Sequence, residues 1–212
     1  MSEKTVIQKM AGTGMLFALE IVLQLIGNYV NIGPVNINLS LMPIVMGAVF
    51  FGPLSGLFLG LANGVVTILA PGTSAFLAVN AFWTIVICLA KTGLAGLASG
   101  FIYKAFEKRH LIVGIVLASI IVPIINSGIF ALGCLTVLRN WLISISGESN
   151  QVYVLFILVI GVNFLFELGV ELLFTPALIY VFKIVTKRLG NKKQPTKEID
   201  SNQPLETETK NE

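Results

Sequence analysis

The sequence predicts an all-α integral membrane protein, a six-transmembrane-helix bundle with N- and C-termini cytoplasmic. Three observations carry that prediction. The chain is 55% hydrophobic and only 12% charged, with a mean hydropathy of +0.87, whereas soluble domains carry roughly 25% charged residues. Its apolar residues fall in blocks of helical length, without the ten-residue alternation of a membrane barrel. The basic residues sit at block ends. Of the 14 Lys and Arg, Lys91 lies inside a block and Arg139 in an outer loop, which leaves twelve on the cytoplasmic side, as the positive-inside rule requires. An odd number of spans would put either the turn at 104–110 or the basic C-terminal cluster outside.

Residues 1–9 are polar and form a cytoplasmic N-terminus. The next block has no small-residue cleavage site and reads as a retained first span, 10–27. In it Gly14 and Ala18 make a small-xxx-small pair suited to close helix contact, either inside the bundle or with another protein. Glu20 and Gln24 form a second, polar face. Residues 28–38 are an uncharged loop whose asparagines suit turn geometry; Asn38, at its end, is also a candidate ligand contact. Span two, 39–51, is short and ends at Gly52-Pro53, a helix break. Span three, 54–69, repeats glycine at Gly56, Gly60 and Gly64, which predicts tight packing on another helix. Residues 70–79 form a second uncharged loop.

Span four, 80–103, carries Lys91 near its middle. A charge at bilayer depth is costly and marks a site or a pair. Asn80, Thr84 and Lys91 share one helical face, and small residues from Gly93 to Gly100 follow for close packing. Span five, 111–137, contains Pro123, a predicted kink, then Asn126 and Ser127. Span six, 152–185, carries Asn163, Glu167 and Glu171 as one polar stripe. The membrane domain is thus 10–187, and 188–212 is a disordered cytoplasmic tail of mixed charge.

Depth links these marks. Lys91 and Asn163 are eleven residues into their spans, and Asn126 is eleven before the outer end of its own. At about 1.5 Å per residue, each lies roughly 16 Å from the outer boundary. Glu167 is one turn deeper, and Asn63 and Thr67 extend the path on span three. Polar groups in hydrocarbon face inward and one another. One ammonium, several amides and a carboxylate describe a pocket for a small, polar, anionic ligand, lined by Asn38, Asn80, Thr84, Lys91, Asn126, Asn163 and Glu167. The loops at 28–38 and 70–79 are positioned to cover it. Two alternatives stand beside this reading: a dry interhelical network, and a Lys91 that only pairs with a buried carboxylate.

Other classes find less support. Cys88 and Cys134 match no metal spacing, His110 is a lone histidine, and H-E-x-x-H, G-x-S-x-G and the phosphate loop G-x-x-x-x-G-K-[ST] are absent from the sequence. Neither an enzyme, a metal, a cofactor nor a nucleic-acid partner is expected. Without a convincing inverted repeat, an autonomous ion-coupled transporter ranks lower.

The block INLSLMPIVMGAVFFGPLSGLFLGLANG at 37–64, the AKTGLAG stretch around Lys91, PIINSGIF at 123–130 and NFLFEL from Asn163 resemble the substrate-binding S components of energy-coupling factor (ECF) transporters, over roughly residues 10–187. The resemblance implies a six-helix bundle in the bacterial plasma membrane that binds a vitamin tightly from the outer face. It also implies docking on a shared transmembrane scaffold subunit and two cytoplasmic ATPase subunits, where ATP hydrolysis takes place. The family's first helix carries an Ala-xxx-Ala contact for the scaffold; here Gly14 and Ala18 take that spacing, with glycine first. Within the family the sequence looks more like the pantothenate-type and generic vitamin branch than the thiamine or biotin branches. Pantothenate has one carboxylate, two hydroxyls and an amide, which suit Lys91 and the asparagines. Riboflavin, the runner-up, wants stacking aromatics, for which Trp83, Phe76 and Phe130 are available. An interaction-only membrane scaffold is the reading from another class, and it requires a polar belt fully paired within itself.

Overall fold

The computed structural model describes residues 3–27, 31–32, 35–36, 39–140, 143 and 161–191. Among these, six helices carry the fold: α1 Glu3–Gly27, α2 Leu41–Phe51, α3 Pro53–Ile68, α4 Ser74–Phe106, α5 Leu111–Thr136 and α6 Val162–Asn191. A 3₁₀ turn at Pro71–Thr73 precedes α4, and a two-residue antiparallel ladder, β1 Asn31–Ile32 with β2 Val35–Asn36, lies between α1 and α2. Asn38, the start of the expected sixth span and the tail from 192 onward lie outside the described residues.

Four helices are long and apolar enough to cross a membrane, over Val6–Gly27, Pro71–Phe106, Leu111–Thr136 and Asn163–Val185. The other two are shorter. At about 1.5 Å per residue, the 11 residues of α2 and 16 of α3 reach about 16 and 24 Å, against a hydrocarbon thickness of about 30 Å. The break between them is the one read from the sequence. Gly52 takes φ 102°, a left-handed conformation that favours glycine, and its N–H closes α2 by donating to the Ala48 carbonyl at 3.1 Å. Pro53 then opens α3, where its missing N–H costs nothing.

One segment differs from the sequence reading. The expected loop at 70–79 is helical from Ser74, because Pro71 opens a 3₁₀ turn that leads directly into α4. Helix α5 runs continuously through Pro123.

The helices pack antiparallel to their sequence neighbours, and glycines set the register. Gly56 faces Gly96, Gly60 faces Thr92 and Gly93, and Gly64 faces Cys88 and Leu89. The predicted glycine ladder of α3 therefore has its partner in α4, and a Cβ at Gly56 or Gly60 would run into the α4 backbone. Close backbone approach of this kind stabilises helix pairs where lipid removes the hydrophobic drive. On the opposite side of α4, the Ser99 hydroxyl donates to the Ala118 carbonyl of α5 at 2.9 Å. The main core gathers Leu41, Ile44, Val45, Leu59, Ala95, Ile115, Ala118, Val122 and Leu178, so the short α2 sits in the middle of the bundle. Outside, Leu54, Met15 and Leu173 are 77%, 76% and 74% exposed, the outward apolar surface that suits lipid and not water.

This topology gives the bundle two unlike ends. The start of α1, the α2–α3 break, the α4–α5 turn and the end of α6 share one end, tied by Phe182 stacking on Phe50 at 5.4 Å and meeting Tyr103 edge-on at 5.9 Å. Lys9, Lys104, Lys108, Arg109 and Lys183 make this the basic end. The other, the far end, holds the β1–β2 ladder and the start of α4.

Candidate functional site

Helix α4 changes direction at the residue that the sequence placed on its polar face. Asn80 has extended backbone angles, φ −158° and ψ 96°, inside the element. Its side-chain oxygen accepts the Trp83 N–H at 3.2 Å, capping the helix that restarts there. The break frees the Phe76 carbonyl, and the Thr84 hydroxyl takes it at 3.0 Å. Thr84 is buried, while Asn80 is partly exposed. These two residues therefore shape the α4 break, and the regular spacing of Asn80, Thr84 and Lys91 along one straight helix does not apply.

Lys91 follows two turns later. Its ammonium lies over the Phe130 ring of α5, 5.3 Å from the centroid, a favourable cation–π geometry. Phe130 in turn meets the buried Phe76 edge-on at 5.5 Å, which ties the segment before the α4 break to the lysine. Among the described residues no carboxylate pairs with this ammonium, so the purely structural ion pair weighed from the sequence has no partner in them.

One turn along α5, Asn126 meets α6. Its side-chain N–H₂ donates to both carboxylate oxygens of Glu167, at 3.3 and 3.1 Å, and the Ser127 hydroxyl donates to Oε2 at 3.2 Å. All three side chains are buried. A carboxylate at this depth needs such donors, because no water supplies them in hydrocarbon. Asn126 faces Glu167, not Asn163, so the α5–α6 register differs by one turn from the depth count. Asn163 lies a turn nearer the far end. Its Oδ1, the Asn126 Oδ1 and one oxygen of Glu171 are buried without a hydrogen-bond partner among the described residues.

A second polar group crosses α1, α2 and α3. The Ser40 hydroxyl donates to Gln24 Oε1 at 2.8 Å, Asn63 Nδ2 donates to Ser40 at 2.6 Å, and Thr67 donates to Asn63 Oδ1 at 3.1 Å. Thr73 then donates to the Thr67 carbonyl at 2.6 Å. Asn63 and Thr67, read from the sequence as lining a ligand path, are members of this chain. The α3–α4 register sets it level with the lysine: Asn63 adjoins Gly64, Gly64 faces Cys88, and Cys88 is one turn from Lys91. The two polar groups thus occupy one layer, beyond the first residue of α2.

Of the candidate residues, the fold joins Asn126 to Glu167 directly and sets Lys91 a turn away along α5. Asn80 and Thr84 lie toward the far end, Asn163 beside Glu167, and Asn38 outside the described residues. Sequence reasoning missed Ser40 and the contact of Phe130 with Lys91, and it noted Ser127 without placing it in the site. Ser127 adjoins Asn126, and Ser40 immediately precedes α2, so adjacency and the cap position were the available signals. Gly14 and Ala18 are exposed on α1, and nothing lies within 4 Å of a Cβ built on Gly14. That small-residue face is not used for packing among the described residues.

A long-helix bundle with a polar layer inside it agrees with a family that matches the chain over residues 8–179, described as the substrate-specific component of ECF transporters. The chain belongs to that family. As an S component it is a multi-pass membrane protein that binds a transported small molecule instead of transforming one, within a membrane-embedded complex of ECF subunits. No curated protein and no solved structure matches this S component.

Proposed function

We propose that this S component captures pantothenate, or a closely similar vitamin carboxylate, from outside the bacterial plasma membrane. It then delivers the vitamin through a shared transmembrane scaffold driven by two cytoplasmic ATPase subunits. The observation that carries the reading is Lys91: a half-buried ammonium against the Phe130 ring, with buried amide oxygens on α5 and α6 that lack partners among the described residues. A ligand carboxylate neutralises it, and ligand hydroxyl and amide N–H groups supply donors for the Asn126 and Asn163 oxygens. Glu167 is held by Asn126 and Ser127, and it fixes the amide that faces the ligand.

The aromatic residues favour this over riboflavin. Phe76 and Phe130 are engaged with each other, and Trp83 is 43% exposed beside Phe82. None of them offers a free pair of faces for a flavin. The remaining assignments complete the proposal: six membrane passages, with α2 and α3 crossing as a broken pair, both termini cytoplasmic, and the open face at Gly14 and Ala18 docking on the scaffold.

The test is native mass spectrometry of the gently purified chain, then calorimetry with pantothenate and riboflavin. Co-purified pantothenate, or its tight binding alone, is expected. Tight riboflavin binding overturns the substrate, and an empty chain that binds neither favours an interaction-only scaffold. In the same preparations, Gly14→Leu with Ala18→Leu is expected to bind normally yet abolish uptake; normal uptake removes that face from docking.

A further inference from the structure

At the basic end, away from the polar layer, a cavity of about 360 Å³ opens between the start of α1, the α2–α3 break and the end of α4. Its charged lining is Lys9 from α1 and Lys104 and Glu107 from the end of α4, and Tyr103 adds a phenol. Opposite them stand Phe51 and the apolar residues around Gly52. The Lys104 side chain reaches over Gly52, 4.0 Å from where a Cβ would stand. Among the described residues neither ammonium is paired with a carboxylate, although Glu107 follows Lys104 by one turn.

We propose that this cavity binds the phosphodiester headgroup of an anionic glycerophospholipid. Three features select that class. Two ammonium groups against one carboxylate leave one positive charge, which matches the single negative charge of a phosphodiester and not the double charge of a phosphomonoester. Lys and Tyr at a helix end stand at headgroup depth, where basic pockets between helices take lipid phosphates. The apolar wall beside the charges receives the glycerol and the first acyl carbons, surface that a free phosphate leaves wet. Glu107 then accepts a headgroup hydroxyl at the rim. The site ties α1 to the α2–α3 break and to α4, so a bound lipid clamps three elements at the basic end.

The experiment uses the full chain in mixed micelles carrying either phosphatidylglycerol or phosphatidylcholine, with bound lipid read by native mass spectrometry. Soluble glycerol 3-phosphate is titrated in parallel by calorimetry. Wild-type chain is expected to retain phosphatidylglycerol selectively. Lys9→Gln with Lys104→Gln is expected to lose that retention by about 30-fold, about fivefold for each lysine. Lys9→Arg with Lys104→Arg keeps it, which separates loss of charge from loss of fold, and Lys108→Gln, in the neighbouring turn but outside the cavity, leaves it unchanged. Retention that survives the double glutamine variant, or falls equally with Lys108→Gln, overturns the site. Glycerol 3-phosphate binding as strongly as the lipid overturns the lipid source in favour of a soluble phosphate.

Discussion

The two halves of the polar layer use the same side chains to different ends. On α1–α3, Gln24, Ser40, Asn63 and Thr67 pass hydrogen bonds from one to the next until Thr73 ends the series on a backbone carbonyl. On α4–α6, Lys91 rests on an aromatic ring and the Asn126 and Asn163 oxygens are buried without partners among the described residues. Burying an unsatisfied polar atom costs about 1–3 kcal/mol. A fold that closes one half and leaves the other open has a built scaffold beside unfilled valence. Under the proposed function the hydrogen-bonded series is structure, and the open half is the place for the ligand.

The strongest break in this comparison is Lys91→Met. Methionine keeps the length and apolar stem of lysine and removes only the charge. Loss of one partner of a desolvated charge pair costs about 2–5 kcal/mol, so affinity for a vitamin carboxylate is expected to fall by about 30-fold to about 4,000-fold. Stability should change little, because among the described residues the ammonium makes a cation–π contact worth about 0.5–2 kcal/mol. Calorimetry and thermal melting measure the two separately. Unchanged affinity takes Lys91 out of the site.

Asn63→Ala asks the opposite question. Asn63 is fully buried, gives one hydrogen bond to Ser40 and receives one from Thr67. Its truncation leaves both hydroxyls short of a partner, at about 1–3 kcal/mol of stability. Melting should shift down while vitamin affinity stays at the wild-type value. A variant that melts normally but binds poorly would move Asn63 from the closed half to the site and erase the distinction between the halves.

What the sequence revealed of this arrangement follows from how local each signal is. The Gly52-Pro53 break and the glycine ladder of α3 were legible because small residues and proline impose backbone geometry directly. Asn126, Glu167 and Lys91 were legible as costly groups inside apolar blocks. Register was not. Asn126 meets Glu167 instead of standing level with Asn163, since a depth count depends on span ends that apolar residues mark only within a turn. The helix at 74–79 and its break at Asn80 were hidden for a related reason. An uncharged, moderately apolar stretch satisfies a loop or a helix equally, and the Asn80 cap is decided by the fold around it. Ser40 carried no charge to mark it, yet it is the hub of the closed half.

Glu20 sharpens the comparison from inside the closed half. It lies one turn from Gln24 on α1, its side chain is 0% exposed, and neither carboxylate oxygen has a partner among the described residues. The antiparallel pairing explains the omission. Leu16 approaches Gly47 and Gln24 bonds Ser40, so Glu20 stands level with the first turn of α2. Pro43 supplies no N–H there, and Ile44 is a core residue. Replacing an unsatisfied buried polar group by an apolar one of similar volume stabilises. Glu20→Leu should therefore raise the melting temperature by about 2–4 °C, equivalent to about 1 kcal/mol for a chain of this size. Glu20→Gln, which keeps two polar atoms at the same place, should gain less. A drop in melting temperature for Glu20→Leu would mean that the carboxyl does hold a partner. The α1–α3 half would then be closed at Glu20 as well, and the one open valence found in it among the described residues would be gone.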